Sequence, residues 1–156
     1  RWLLVWAAVG GVVVSFLLET GILVAGLAAL GHFPTLQLGL LPVVVLAEAA
    51  LALGVALGLA GLQVRARDVE RIWGILLMAG FFLTPVFFTP DILSEPFRPW
   101  LRLNPLAAVL ACGRQALLGT PAAQSDWGML LGSAAFALWG GSLLFRRLSR
   151  DAAERI

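Results

Sequence analysis

Residues 81 to 119 read FFLTPVFFTPDILSEPFRPWLRLNPLAAVLACGRQALLG, and this stretch decides how the chain can occupy a membrane. It is apolar, but five prolines interrupt it: Pro85, Pro90, Pro96, Pro99 and Pro105. Because proline removes a backbone donor and clashes with the preceding helical turn, the stretch cannot be one straight span. Broken helix at membrane depth is tolerated only where protein or a water-filled cavity covers the freed backbone groups. The stretch therefore predicts either a pathway for something polar or two short interfacial helices with no pathway between them.

The composition indicates an integral membrane protein. Of the 156 residues, 60% are hydrophobic and 13% are charged, whereas soluble domains carry about 25% charge. All eleven basic residues are arginine. They are scattered along the chain with no basic stripe, so the sequence does not predict binding to nucleic acid. Cys112 is the single cysteine, which excludes an internal disulfide.

Four apolar runs predict membrane-spanning helices, because a span needs about 20 mostly apolar residues. The runs lie at about 3–30, 40–62, 72–88 and 127–145, and Pro85 bends the third. Runs of this length exceed a membrane strand and lack its alternation of polar and apolar residues. The predicted fold is therefore an all-α integral membrane bundle of four transmembrane helices, within a single domain that covers residues 1–156.

The arginines orient these spans, since arginine concentrates on the cytoplasmic side of bacterial membranes. If four spans alternate, eight arginines fall on one side and three on the other, namely Arg98, Arg102 and Arg114. We therefore expect a multi-pass protein of the bacterial cytoplasmic (inner) membrane. Its C-terminus would lie in the cytoplasm, and residues 31–39 and the broken stretch would face outward.

Capping signals divide the broken stretch into two short helices. Asp91 can cap a helix over about 91–103. Asn104 followed by Pro105 is a strong start signal for a second helix, over about 104–119, with Gly119 as its stop. At about 20 Å the second helix is too short to cross a membrane. We expect both helices to enter the outer leaflet and return.

Two glycine pairs with GxxxG spacing permit close helix approach. Gly54 and Gly58 form the pair in the second run, and Gly128 and Gly132 form the pair in the fourth. Glycine is common throughout this chain, so each pair is either a contact face or a consequence of composition.

A series of short motifs follows in a fixed order from residue 67 to residue 119. They are Arg67-Asp68-Val69 after a span, residues 81–88 (FFLTPVFF) ending the next, Asn104-Pro105-Leu106, and Arg114 with Leu117-Leu118-Gly119 before the last span. In this order and spacing the chain resembles the permease subunits of type-2 ABC exporters, especially those that export polysaccharides such as O-antigen or teichoic acid. The resemblance extends, less sharply, over the whole chain.

The resemblance implies a subunit with six spans that works as a homodimer with two cytoplasmic ABC ATPase subunits. It implies that this chain is the C-terminal four spans of such a permease. It also implies that the broken stretch forms two re-entrant helices that control the exit of the substrate. The implied function is ATP-driven export of a polysaccharide or a similar large amphiphile, and a drug or lipid exporter of the same type is the alternative.

Two carboxylates, Glu19 and Glu48, lie well inside the predicted spans, where an ionisable residue is costly. They either line a substrate path or make structural hydrogen bonds between helices. The motifs that carry the resemblance add Phe82, Phe87, Phe88 and Arg114 as candidates for the substrate path.

The most charged stretch, residues 63–71, has two interpretations. Arg65, Arg67, Asp68 and Arg71 either anchor the chain by the positive-inside rule or contact an ATPase subunit. A phosphate-binding loop of the GxxxxGK[ST] type needs a lysine, and this chain has none, so ATP hydrolysis would belong to another chain.

Two other classes of protein were weighed against a transport subunit. An integral membrane enzyme, for example one that modifies lipids, needs an assembled polar site. The predicted spans instead offer two isolated glutamates, so no catalytic residue is proposed. With one histidine, His32, and one cysteine, the sequence predicts neither a metal site nor a cofactor. A membrane scaffold without transport activity remains the other alternative.

Overall fold

The computed structural model of the chain describes residues 2–31, 36–63, 65–66, 68–88, 92, 94, 96 and 98–153. Within this part the fold is all-helical and contains no strand, as the sequence predicted. The described residues form six α-helices and a 3-10 helix at Leu36–Leu40. The α-helices are α1 (Trp2–Ala29), α2 (Leu41–Gln63), α3 (Val69–Leu83), α4 (Arg98–Arg102), α5 (Pro105–Leu118) and α6 (Gln124–Ala153).

The two helices α1 and α2 follow the first and second apolar runs closely, and α6 continues past the fourth run at residue 145 to Ala153. The extension contains arginine, leucine and alanine, which favour helix even outside an apolar environment. Helix α2 and the segment Gln124–Leu148 of α6 are long and apolar enough to cross a membrane. The apolar segments Val13–Ala29 of α1 and Pro105–Leu118 are shorter.

The third apolar run does not form one bent helix to Phe88, as the sequence analysis expected. Helix α3 is 15 residues long and ends at Leu83. The reason is Pro85, which has no N–H to donate to the carbonyl of Phe81, so Phe81 accepts from the N–H of Thr84 instead at 3.3 Å. Helix α3 has no buried residue, and most of its large apolar side chains are exposed.

Part of the first predicted short helix, over about 91–103, lies outside the described residues, namely positions 91, 93, 95 and 97. Within that range the structure describes α4, five residues from Arg98 to Arg102. Pro96 and Pro99 limit its length, because proline is compatible with the first turn of a helix but not with its interior. The cap predicted at Asp91 lies outside the described residues.

The second short helix begins and ends where the sequence predicted. The Asn104 side chain accepts a hydrogen bond of 3.0 Å from the Leu106 N–H, and Pro105 occupies the first turn. Gly119 ends α5 in the left-handed conformation with φ 72°, which glycine adopts without steric cost. The two termini therefore satisfy their backbone groups locally and fix α5 at 14 residues.

Helices α2 and α6 touch backbone to backbone through glycines, and this contact is the main helix pair of the fold. A Cβ at Gly54 would overlap the backbone of Ala137 and Leu138, and a Cβ at Gly141 would overlap the carbonyl of Gly54. A Cβ built at Gly61 would lie 3.2 Å from the Cα of Phe145, so α6 also approaches α2 closely at this position. Such contact is typical of membrane helix pairs, which associate by close packing of small residues.

The glycine pair predicted in the fourth run is not part of this contact. Among the described residues, no atom of another part of the chain lies within 4 Å of a Cβ built at Gly128 or Gly132. The GxxxG spacing does not reveal which face of α6 turns toward α2. In the structure that face contains Gly141. The pair in α2 does face α6, since a Cβ built at Gly58 would lie 3.7 Å from the Cα of Gly141.

A small core forms where α5 docks on α2 and α6. Leu130 and Cys112 are fully buried there, and the Trp127 indole N–H donates a 2.8 Å hydrogen bond to the Gln115 side-chain oxygen. This core holds α5 at a fixed position, so the residues on the opposite face of α5 can line a cavity.

Candidate functional site

A cavity with a volume of about 680 Å³, called here the large cavity, lies between α1, α2, α5 and the end of α3. Leucine, phenylalanine and valine side chains form most of its wall. Its polar members are Glu19, Thr20, Glu48, Thr84 and Arg114. A mostly apolar pocket with a few polar groups is the usual form of a binding site.

Three of the residues predicted for a substrate path meet at this cavity. Glu19 comes from α1, Glu48 from α2 and Arg114 from α5, so three separate helices supply its charged groups. Glu48 is half-buried, and Glu19 is exposed. The chain thus places two carboxylates and one guanidinium around one mainly apolar space, an arrangement that suits an amphiphilic ligand with polar groups.

The three predicted phenylalanines lie elsewhere among the described residues. Phe82, Phe87 and Phe88 are absent from the wall of the large cavity, and Phe82 and Phe87 are 69% and 84% exposed. Phe81 lines the cavity instead, and its ring makes an edge contact with Phe87 at a centroid distance of 5.5 Å. Successive helical residues point about 100° apart, so Phe82 turns away from the cavity that Phe81 faces.

The break after α3 is closed by a network of hydrogen bonds that begins at Thr84, which is 6% exposed. The Thr84 hydroxyl donates to the Gly80 carbonyl at 2.7 Å, which replaces a backbone bond lost at the helix end. The Asn104 side-chain NH₂ donates to the Thr84 hydroxyl at 3.2 Å and to the Leu83 carbonyl at 3.3 Å. The start of α5 is thereby joined to the end of α3.

Arg114 provides the second link between these helices. Its Nη2 donates a 3.1 Å hydrogen bond to the carbonyl of Pro85, and its side chain is half-buried. A guanidinium near the last carbonyls of a helix is also favoured by the partial negative charge there. Arg114 was predicted from the sequence, whereas the roles of Thr84 and Asn104 beside it were not. The sequence does contain a signal for these roles, the pair Thr84-Pro85 at the end of a helix. Proline has no N–H, so a carbonyl in the preceding turn needs another donor.

A second cavity, called here the small cavity, has a volume of about 350 Å³ and lies on the other side of Arg114. Its wall contains Pro85, Arg102 and Asp126 together with Arg114. The Asp126 carboxylate also accepts a 3.0 Å hydrogen bond from the Ala123 N–H, which caps the start of α6. Arg114 is therefore shared by two cavities of different character.

The described residues that were predicted to contact an ATPase lie between the end of α2 and the first turn of α3. Arg65, Asp68 and Arg71 are exposed there, and Arg67 lies outside the described residues. The N–H groups of Arg65 and Ala66 both donate to the Leu62 carbonyl at 2.9 Å, which ends α2 in a tight turn. These charged side chains are accessible at one end of the helix bundle.

Comparison with known proteins places this chain beside bacterial export permeases. It is 29% identical over 145 residues to an O-antigen export system permease protein of Myxococcus xanthus, a match that covers 91% of this chain and 56% of that protein. It is 26% identical over 104 residues to the O-antigen export system permease protein of Klebsiella pneumoniae, which covers 66% of this chain and 40% of that protein. No family model matches the chain.

The chain spans about half the length of the curated relatives that it matches. The longer match includes nearly the whole chain, so the similarity extends well beyond the short motifs that first indicated it. The predicted resemblance to the permease subunits of type-2 ABC exporters is therefore confirmed, and O-antigen export permeases are the relatives that carry it.

Proposed function

We propose that this chain is part of the membrane-spanning permease subunit of an ATP-driven exporter. The proposed substrate is a polysaccharide such as O-antigen. The observation that carries the proposal is the similarity to the Myxococcus xanthus permease over 91% of the chain. The large cavity supports it, because carboxylates and a guanidinium are the groups that hydrogen-bond the hydroxyls of a sugar. Its apolar wall is compatible with an amphiphilic substrate that carries an apolar portion.

In the proposed arrangement four segments cross the bacterial cytoplasmic membrane: α1, α2, α6 and the third apolar run, which starts in α3 and continues past its end at Leu83 to residue 88. The short helices α4 and α5 enter the outer leaflet and return. The C-terminus and the turn at residues 63–71 then lie in the cytoplasm, where arginine is concentrated. The exposed apolar side chains of α3 support this arrangement, since a large exposed apolar surface needs lipid or a partner to cover it.

The energy for export would come from a separate ABC ATPase, the partner that the resemblance to ABC exporter permeases implies. The residues of this chain include no lysine, which a phosphate-binding loop requires. The exposed Arg65, Asp68 and Arg71 form the proposed docking site, together with Arg67. A second copy of the permease would pair with the first around a shared path.

Affinity purification tests the proposed partnership. The complete protein that contains this chain is tagged, solubilised in mild detergent from its native host and purified. We expect an ABC ATPase to be recovered in equal amount with the tagged protein. Recovery of the protein without any ATPase, in a detergent that keeps other ABC exporters assembled, would contradict the proposal.

A further inference from the structure

The large and small cavities share two wall residues, Leu110 and Arg114. These residues are four apart on α5, so their side chains lie one above the other on one face of the helix. Other residues of α5 line one cavity each: Val109 lines the large cavity, and Ala107 lines the small one. On the α5 side, the wall between the cavities therefore consists of two side chains.

The opposite side of this wall is the break after α3. Thr84 and Val86 line the large cavity, and Pro85 between them lines the small one. The 3.1 Å hydrogen bond from Arg114 to the Pro85 carbonyl therefore runs from one side of the wall to the other. If the Arg114 side chain moved away from Pro85, Leu110 would be the shared side chain left in the wall.

The small cavity also contains a second acceptor for the guanidinium, the Asp126 carboxylate. A carboxylate accepts several hydrogen bonds, so Asp126 can keep its bond to the Ala123 N–H and still receive an arginine. A charge-assisted bond of this kind is stronger than a bond from the same arginine to a neutral carbonyl. Arg114 thus has one acceptor in the wall and a competing acceptor inside the small cavity.

We propose that Arg114 is a movable partition between the two cavities. With its guanidinium on the Pro85 carbonyl the cavities are separate, and with its guanidinium on the Asp126 carboxylate they join into one path. The use of that path by exported cargo rests on the proposed function. The movement of Arg114 itself does not, because it follows from the two cavities and the two acceptors.

Thiol labelling in membrane vesicles tests the partition without any transport measurement. In the complete protein, Cys112 and any other native cysteine are replaced by alanine, and a single cysteine is introduced at Val109 or at Ala107. A charged methanethiosulfonate reagent is added on the side from which Ala107→Cys reacts. We expect Arg114→Ala to raise the labelling rate of Val109→Cys about tenfold, the change expected in an open–closed equilibrium on losing a hydrogen bond to a charged group. The rate of Ala107→Cys should stay unchanged and reports that the fold is intact.

Two further variants separate the partition from the hydrogen bond. Leu110→Ala removes the other shared side chain and should also raise the rate at Val109→Cys, although it touches no polar group. Asp126→Asn keeps an oxygen for the Ala123 N–H but removes the competing charge, so the rate at Val109→Cys should fall. If neither Arg114→Ala nor Leu110→Ala changes the rate at Val109→Cys, the partition is refuted. An unchanged rate in Asp126→Asn would refute the exchange of acceptors.

The same experiment keeps the failure of the proposed function distinguishable. If Ala107→Cys reacts only with reagent on the cytoplasmic side, the proposed orientation is wrong. The labelling rates of Val109→Cys with Arg114 present and with Arg114→Ala still decide whether Arg114 separates the cavities.

Discussion

Arg114 donates a 3.1 Å hydrogen bond to the carbonyl of Pro85, the residue that lies just past the end of α3. Asn104 makes the neighbouring link, from its side-chain NH₂ to the Thr84 hydroxyl at 3.2 Å. One helix, α5, thus supplies polar groups to the carbonyls and the hydroxyl at the proline break. The break is held by specific side chains, so it has a defined geometry beside both cavities.

Asn104 performs two tasks, and two substitutions separate them. Asn104→Ala removes both the cap of α5 and the bonds to Thr84 and Leu83, and it should destabilise the protein by about 1–2 kcal/mol. Asn104→Asp keeps an oxygen for the Leu106 N–H but loses the NH₂ donor. It should therefore fall between the wild type and Asn104→Ala in the melting temperature of the detergent-solubilised protein. Equal melting temperatures for all three would show that neither task matters for stability.

The α2–α6 contact predicts opposite effects for the same substitution at two glycines of α6. Gly141→Ala places a methyl group against the Gly54 carbonyl, so the helices must separate, at a cost of about 1–3 kcal/mol. Gly132→Ala enters open space and should be neutral or stabilise the helix by up to about 1 kcal/mol. The melting temperatures of the two variants, measured side by side, check this prediction. A larger loss for Gly132→Ala than for Gly141→Ala would mean that the contact lies on another face of α6.

Sequence reasoning located the helix ends that local chemistry decides. Asn104-Pro105 and Gly119 determine where α5 begins and ends, because an Asx cap and a left-handed glycine act within one turn. The end of α3 was misplaced, although Pro85 was recognised. A proline can kink a helix or end it, and here the Thr84 hydroxyl and Asn104 satisfy the freed groups, so the helix ends.

Features that depend on helix rotation were less predictable. Glu19, Glu48 and Arg114 were expected near a path, and all three line the large cavity, because ionisable residues within apolar helices have few tolerable positions. Phe82 was named for the path, whereas Phe81 lines the large cavity, and the Gly128–Gly132 pair was named as a possible contact face, whereas Gly141 meets α2. Residue type and spacing do not reveal which face of a helix meets its neighbour. That face is set by tertiary packing.

The carboxylate of Glu48 gives a direct test of the large cavity as a substrate path. Glu48→Gln keeps the size of the side chain and removes its charge, so export should fall severalfold if the carboxylate contacts the substrate. Glu48→Asp retains the charge and should keep more of the activity. Surface polysaccharide is measured for both variants at equal expression. Full export by Glu48→Gln would assign Glu48 a role outside the path.

The turn between α2 and α3 is tested by charge reversal. Arg65→Glu combined with Arg71→Glu should reduce recovery of the ATPase, because the exposed positive charges are lost and replaced by repulsive ones. Arg65→Lys with Arg71→Lys keeps the positive-inside charge, so it is the matched control and should retain most of the recovery. Labelling of the loop from the cytoplasmic side verifies the topology of each variant. Normal ATPase recovery in the correctly oriented reversal variant would limit the turn to an anchoring role.

Deletion of the gene that encodes this chain, followed by assay of polysaccharide on both sides of the membrane, tests the central claim most directly. Polysaccharide is measured at the cell surface and inside the cell, before and after complementation with the wild-type gene. The account predicts that the surface polysaccharide disappears, that polysaccharide accumulates inside, and that complementation restores export. Unchanged surface polysaccharide in the deletion strain, in the absence of a second permease gene, would contradict the claim that this protein exports polysaccharide.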